Sequence, residues 1–152
     1  MQFIDLKAQY QHIQQGIAAS VQGVLEHGRF IMGPEVKALE SALSDYTGET
    51  ETVSFASGTD ALQLALKALE IGPGDAVFTT PFTFFATAEV ISLVGAVPVF
   101  VDIDPETYNI DSDRLEEAVC DVAANGELRP RAVIAVDLFG LPSHYDGLDR
   151  VA

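Results

Sequence analysis

Cysteine is nearly missing from this chain: Cys120 stands alone, so no internal disulfide can form, which fits a reducing compartment. It falls in a helical run with Leu115, Ala118, Val119 and Val122, which predicts a packed thiol rather than a nucleophile. Positive charge is scarce. Against 23 Asp and Glu there are only 8 Lys and Arg, a net charge of −15 that argues against a nucleic-acid surface or an anionic membrane as partner. His12, His27 and His144 are far apart and lack ligand spacing, so no metal site is expected. Long apolar runs are lacking too. The most apolar region, Val90 to Val101, is short and broken by Gly95 and Pro98, so no membrane span is expected. Met1 to Lys7 has neither the basic start nor the apolar core of a signal peptide, and the expectation is a cytoplasmic protein. Gly-x-Gly-x-x-Gly, a Walker loop and Gly-x-Ser-x-Gly are all absent, which leaves dinucleotide, P-loop and serine-hydrolase readings without a motif.

What is present is one domain's worth of globular chain. At 152 residues it is long enough to bury about two-thirds of its unfolded surface. The first part reads as helical. Leu6, Tyr10, Ile13, Ile17, Val21, Val24 and Leu25 recur at helical spacing until Gly28, and Pro34 opens a second helix carrying Val36, Leu39, Leu43 and Tyr46. Residues 1–48 are therefore expected to form an N-terminal helical segment, and 49–152 an α/β region.

In that region short β-rich runs (Thr52 to Phe55, Ala76 to Thr80, Val97 to Asp102, Arg131 to Val136) alternate with helices. Four such strands predict an α/β fold with a largely parallel sheet. Ligands in such sheets sit beyond the carboxyl ends of the strands. That rule gathers Ser57 to Thr59, Pro81 to Phe85, Asp102 to Asp104 and Asp137 to Gly140 on one rim.

The most informative stretch is Val53 to Leu62. A strand ends in a small-residue turn, and a helix starts at once, with Ser57 as N-cap and Gly58 leaving room for close approach. The first amides of such a helix lack intrahelical partners and point out at the positive end of its dipole, which makes a phosphate seat; the Thr59 hydroxyl adds a donor. An ordinary capped turn with no ligand would look the same. Phe82, Phe84 and Phe85 read either as core, the commoner case for such rings, or as a platform for a flat ring whose phosphate lies at Gly58 and Thr59. Asp102 and Asp104 read as paired acids, magnesium ligands or loop caps, and Pro105 favours the cap.

Taken together, Phe3 to Leu6, Phe30 to Val36 with Leu39-Glu40, Ser57 to Leu62, Gly72 to Asp75, Thr83 to Ala88, Gly95 to Asp102 and Leu138 to Gly140 resemble the N-terminal part of a DegT/StrS-type sugar aminotransferase. The motifs keep that family's order and approximate spacing along essentially the whole chain, nearest to members acting on UDP-linked 3-keto sugars.

The resemblance implies the large domain of a fold-type-I, aspartate-aminotransferase-like enzyme that uses pyridoxal 5'-phosphate (PLP) to transaminate nucleotide-linked keto-sugars, with glutamate as amine donor. By it, Gly58 and Thr59 hold the cofactor phosphate and Phe84 stacks on the pyridine ring. Arg29 and Phe30 border the substrate, in a homodimer with shared sites. Asp137 departs from the histidine or serine of many relatives, which puts substrate contacts at that loop in question. The family's pyridine-nitrogen aspartate and Schiff-base lysine match nothing here. Lys67 lies nine residues beyond Gly58, roughly 13 Å along a helix, and Lys7 and Lys37 belong to the N-terminal helices. The chain is thus expected to be an incomplete fragment, inactive alone, with no catalytic residue of its own. The alternative is a non-catalytic binding or regulatory module on the same fold.

Overall fold

The computed structural model describes residues 4–48 and 50–152; Phe3, in the first family-like motif, and Glu49, at the expected boundary, lie outside the described residues. The chain forms two compact units, Met1–Ser54 and Phe55–Ala152.

In the first unit, α1 (Leu6–His27) starts where Asp5 accepts the Ala8 amide at 2.9 Å. It stops at Gly28, whose left-handed backbone (φ 67°) returns its amide to the Val24 carbonyl. Its apolar stripe is open: Leu6, Tyr10, Ile13, Ile17, Val21 and Leu25 are all exposed. α2 (Pro34–Tyr46) begins with Pro34 at a position where a missing N–H costs nothing. Between the helices Gly33 is obligatory on steric grounds, since a Cβ there would stand 2.5 Å from the Arg29 carbonyl oxygen.

The run from Thr52 to Phe55, expected as a strand, is not one. Two of its amides bond to side chains of α2 rather than to a neighbouring strand: Thr52 N donates to Ser44 Oγ (3.1 Å) and Ser54 N to Glu40 Oε1 (2.8 Å). Val53 and Phe55 remain exposed.

The second unit carries the sheet. Its elements are α3 (Gly58–Ala68), β1 (Asp75–Thr79), α4 (Ala86–Leu93), β2 (Val97–Phe100), α5 (Ser112–Asn125), β3 (Arg129–Val133) and α6 (Tyr145–Val151). Among the described residues three strands, not four, form a parallel sheet in the order β2-β1-β3. Central β1 is buried along its whole length, as a strand covered on both faces must be. Its side chains alternate between two cores. Val77 joins Leu66, Ile71, Val90, Ile91 and Ala96 on the side of α3 and α4. Ala76 and Phe78 join Val101, Ile110, Leu115 and Leu148 on the side of α5 and α6. Burial of a side chain such as Ile91 or Leu115 is worth about 1.5–3 kcal/mol, so these two layers hold the sheet in place.

β3 starts earlier than its apolar run suggests, because the sheet accepts Pro130 at an edge where the register slips between Ala76 and Val77. Cys120 is exposed, contrary to the packed thiol read from sequence. With Leu115 aimed at the core, a residue five places on is turned about 140° away at 100° per residue, while Ala118, Val119 and Val122 stay on the core face.

Candidate functional site

Ser57 organises the start of α3. Its backbone is extended, its Oγ accepts the Asp60 amide at 3.1 Å, and its carbonyl takes the Ala61 amide at 3.1 Å. The same hydroxyl donates to Asp60 Oδ2 at 2.9 Å. The Ala61 bond is the first regular bond of the helix, and the Asp60 amide is the orphan that the cap satisfies. The amides of Gly58 and Thr59 have no acceptor among the described residues, and neither does the Thr59 hydroxyl. A Cβ built on Gly58 would meet no atom within 4 Å, so the space over these amides is open. Two free N–H groups and a hydroxyl at a helix N-terminus fit a phosphate group. The Asp60 carboxylate on the same turn opposes an incoming anion, and its hydrogen bond to Ser57 holds it on the cap.

The turn after β1 is built from threonines. Thr80 Oγ1 accepts the Phe82 amide at 3.1 Å, and the hydroxyls of Thr83 and Thr87 lie 3.0 Å apart. The Phe84 carbonyl takes the Thr87 amide at 3.1 Å, which starts α4. The core reading of the three rings fails: Phe82 is 45 % exposed, Phe84 78 % and Phe85 74 %. β1 has ended at Thr79, and α4 covers the sheet with Ala86, Thr87, Val90 and Ile91 instead. Phe84 is therefore available to an outside ring. Phe82 rests against Tyr108 with ring centres 5.6 Å apart and planes at 41°.

Asp104 caps its own loop, with Oδ1 accepting from the Glu106 and Thr107 amides at 2.8 and 2.9 Å. Those amides hold its carboxyl below the usual carboxylate range. Asp102 accepts the next amide, from Ile103, at 3.0 Å.

Asn109, which the sequence did not single out, is the buried link between two rim loops. Its Nδ2 donates to the Leu141 and Pro142 carbonyls (2.9 and 3.2 Å), and its Oδ1 accepts the Leu138 amide (3.2 Å). A lone Asn in a polar loop gives no sign in sequence that it will be buried.

Asp137 is likewise committed to its own loop. Its Oδ1 accepts the Ser143 amide at 2.9 Å and the Tyr145 hydroxyl at 3.0 Å. The Ser143 amide first, and the Tyr145 hydroxyl second, hold this carboxyl below its ordinary range. A depressed carboxylate stabilises the fold fully above its ordinary pKa of about 4 and loses that contribution as pH falls through the folded value. Asp137→Asn is accordingly expected to narrow the gap in urea midpoint between pH 7 and pH 3. Glu35, Asp75 and Asp104, shifted the same way, keep it from closing. An unchanged gap would count against this role.

Arg29 and Phe30 belong to the other unit. The Arg29 amide donates to His27 Nδ1 at 3.0 Å, which leaves His27 Nε2 as the donor to Glu35 Oε1 at 2.8 Å. The hook that follows exposes Phe30, Ile31 and Met32, with Met32 in the left-handed region (φ 49°).

Comparison with known proteins follows these lines. The chain is 47% identical over 152 residues to a UDP-2-acetamido-2-deoxy-3-oxo-D-glucuronate aminotransferase of Pseudomonas aeruginosa, a match covering 100% of this chain and 40% of that protein. It superposes on a DegT DnrJ EryC1 StrS aminotransferase from Brucella abortus with a TM-score of 0.97 and 49% identity, over 100% of this chain and 41% of that one. On DesV from S. venezuelae, solved in complex with a ketimine intermediate, the TM-score is 0.90 at 36% identity, over 99% and 39%. The chain thus spans about two fifths of the length of the relatives it matches. Residues 11–152 match the sequence model of the DegT/DnrJ/EryC1/StrS aminotransferase family, and the chain belongs to that family.

Proposed function

We propose that this chain forms the cofactor-phosphate seat and one ring-facing wall of a PLP-dependent aminotransferase acting on a nucleotide-linked keto-sugar, with glutamate as amine donor. The observation that carries the reading is the pair of unpartnered amides at Gly58 and Thr59 beneath open space. In this reading Gly58 N, Thr59 N and Thr59 Oγ1 bind the phosphate, and Phe84 covers one face of the pyridine ring. Arg29 and Phe30 contact substrate. The helical segment 1–48 and the α/β region 49–152 act as separate parts of a cytoplasmic homodimer.

When bound, PLP supplies the electron sink that lets an amino group pass between an amino acid and a keto-sugar. The residues of this chain bind and orient it. The Schiff-base lysine and the pyridine-nitrogen aspartate are assigned outside these 152 residues. Among the described residues no helix is long and apolar enough to cross a membrane.

Each helix–anion contact is worth about 0.3–1 kcal/mol, so the seat alone gives weak binding that depends on the phosphate. Titration calorimetry with PLP and with pyridoxal tests this. The chain is expected to bind the first and not the second, and Gly58→Glu, which fills the open space with a like charge, is expected to abolish binding. Equal affinity for the two, or none for either, would sink the seat and leave the non-catalytic module.

A further inference from the structure

Phe139 is the most conspicuous side chain of the rim that the proposed function leaves unused. It sits in the loop after β3, in the short turn Leu138–Gly140. Its ring is 92 % exposed, and its backbone is left-handed (φ 53°, ψ 21°), a conformation that residues with a bulky side chain rarely adopt.

The loop is nevertheless held firmly. Asn109 grips it at Leu138 and Leu141, Asp137 accepts from Ser143 and Tyr145, and Ser143 Oγ donates to the Val136 carbonyl at 3.0 Å. Those polar side chains are thus turned inward, spent on fixing the loop. What the loop offers outward is an aromatic ring, kept in a strained pose at the carboxyl end of a parallel strand, where ligands of such sheets bind.

We propose that Phe139 is a specificity residue that stacks on the flat base of the nucleotide-linked substrate. This rests on the reading above that the substrate carries a nucleotide. An aromatic ring on a firmly held loop suits that task because it gives a large flat contact and has few side-chain torsions to fix. Asn109 acts through it as a positioning residue.

The probe is UDP, with ribose 5-phosphate as a control that lacks the base, added to the chain carrying ¹³C-labelled phenylalanine. UDP is expected to move the Phe139 ring signals upfield, and ribose 5-phosphate to leave them in place. Phe139→Gly assigns those signals by their loss. It should weaken UDP binding about tenfold, roughly 1.4 kcal/mol, while its melting temperature stays the same or rises because the left-handed strain is relieved. Phe139 signals that ignore UDP, or a Phe139→Gly chain that binds UDP as tightly as the parent, would overturn the proposal. So would a variant that binds normally but sediments differently, since the ring would then face a second copy. Titration of the Gly58 and Thr59 amides with PLP in the same samples reads the cofactor seat independently. A seat that responds beside a silent Phe139 refutes the stacking alone, and the reverse refutes the seat alone.

Discussion

Borohydride reduction of this chain in the presence of PLP is expected to leave no stoichiometric adduct on any lysine. The chain has three, Lys7, Lys37 and Lys67, and all are exposed to water. Lys67 lies in the last turn of α3, at the opposite end from Gly58 and Thr59. That places it roughly 13 Å along the helix axis, at 1.5 Å per residue, from the proposed phosphate seat. Lys7 and Lys37 sit on α1 and α2, in the other compact unit. No lysine is enclosed in a pocket that would hold an aldehyde against it, so labelling should be weak and spread over several amines. Intact-mass analysis followed by peptide mapping reads this directly. One lysine carrying close to one equivalent would refute the assignment of the Schiff-base lysine to a position outside these residues.

Asn109→Leu is the substitution near the rim with the largest expected cost in stability. Leucine matches asparagine in bulk but leaves the Leu138 amide and the Leu141 and Pro142 carbonyls without their partner. A buried polar group left unpaired costs about 1–3 kcal/mol. With part of the loop free to relax toward water, the expected loss is about 3 kcal/mol, a large share of the roughly 5–15 kcal/mol typical of a domain. Urea unfolding should show the lowered midpoint, and amide exchange at Leu138 to Leu141 should quicken by more than at Val77 or Phe78 in the central strand. A loss below about 1 kcal/mol would mean that the two loops do not depend on Asn109.

Local signals were readable because they need only neighbours in sequence. Asp5, Ser57 and Asp111 cap α1, α3 and α5 as their residue types suggest, and Gly28 closes α1 in the left-handed conformation that glycine permits. The central strand was readable because Ala76, Val77 and Phe78, apolar on both faces, are bounded by the Gly72-Pro73-Gly74 turn before them and Pro81 after. The capped turn that opens α3 was readable for the same local reason, since Ser57 and Gly58 adjoin the helix they open.

Most of what failed depended on partners outside the local stretch. Thr52 to Phe55 has strand-like residues, yet α2 supplies acceptors for its amides from Ser44 and Glu40. Phe82, Phe84 and Phe85 look like core until the sheet is seen to end before them. Cys120 keeps apolar neighbours in sequence while the helix turns it outward. Asn109 and Asp137 take their roles from carbonyls, amides and a hydroxyl on another loop or farther along their own.

The open apolar stripe of α1 bears on handling. Leu6, Tyr10, Ile13, Ile17, Val21 and Leu25 lie on one helix with none buried, and contiguous exposed apolar surface of this kind drives association. A net charge of −15 opposes it, so experiments on the chain belong at low protein concentration.

The backbone at the start of α3 carries the proposed phosphate seat, and the most direct test of it is a ¹H–¹⁵N correlation spectrum recorded while PLP is added. The Gly58 and Thr59 amides are predicted to move downfield together and to saturate, with inorganic phosphate causing a smaller shift in the same direction and pyridoxal causing none. If those two amides stay where they are while the cofactor binds elsewhere or not at all, the phosphate seat does not exist.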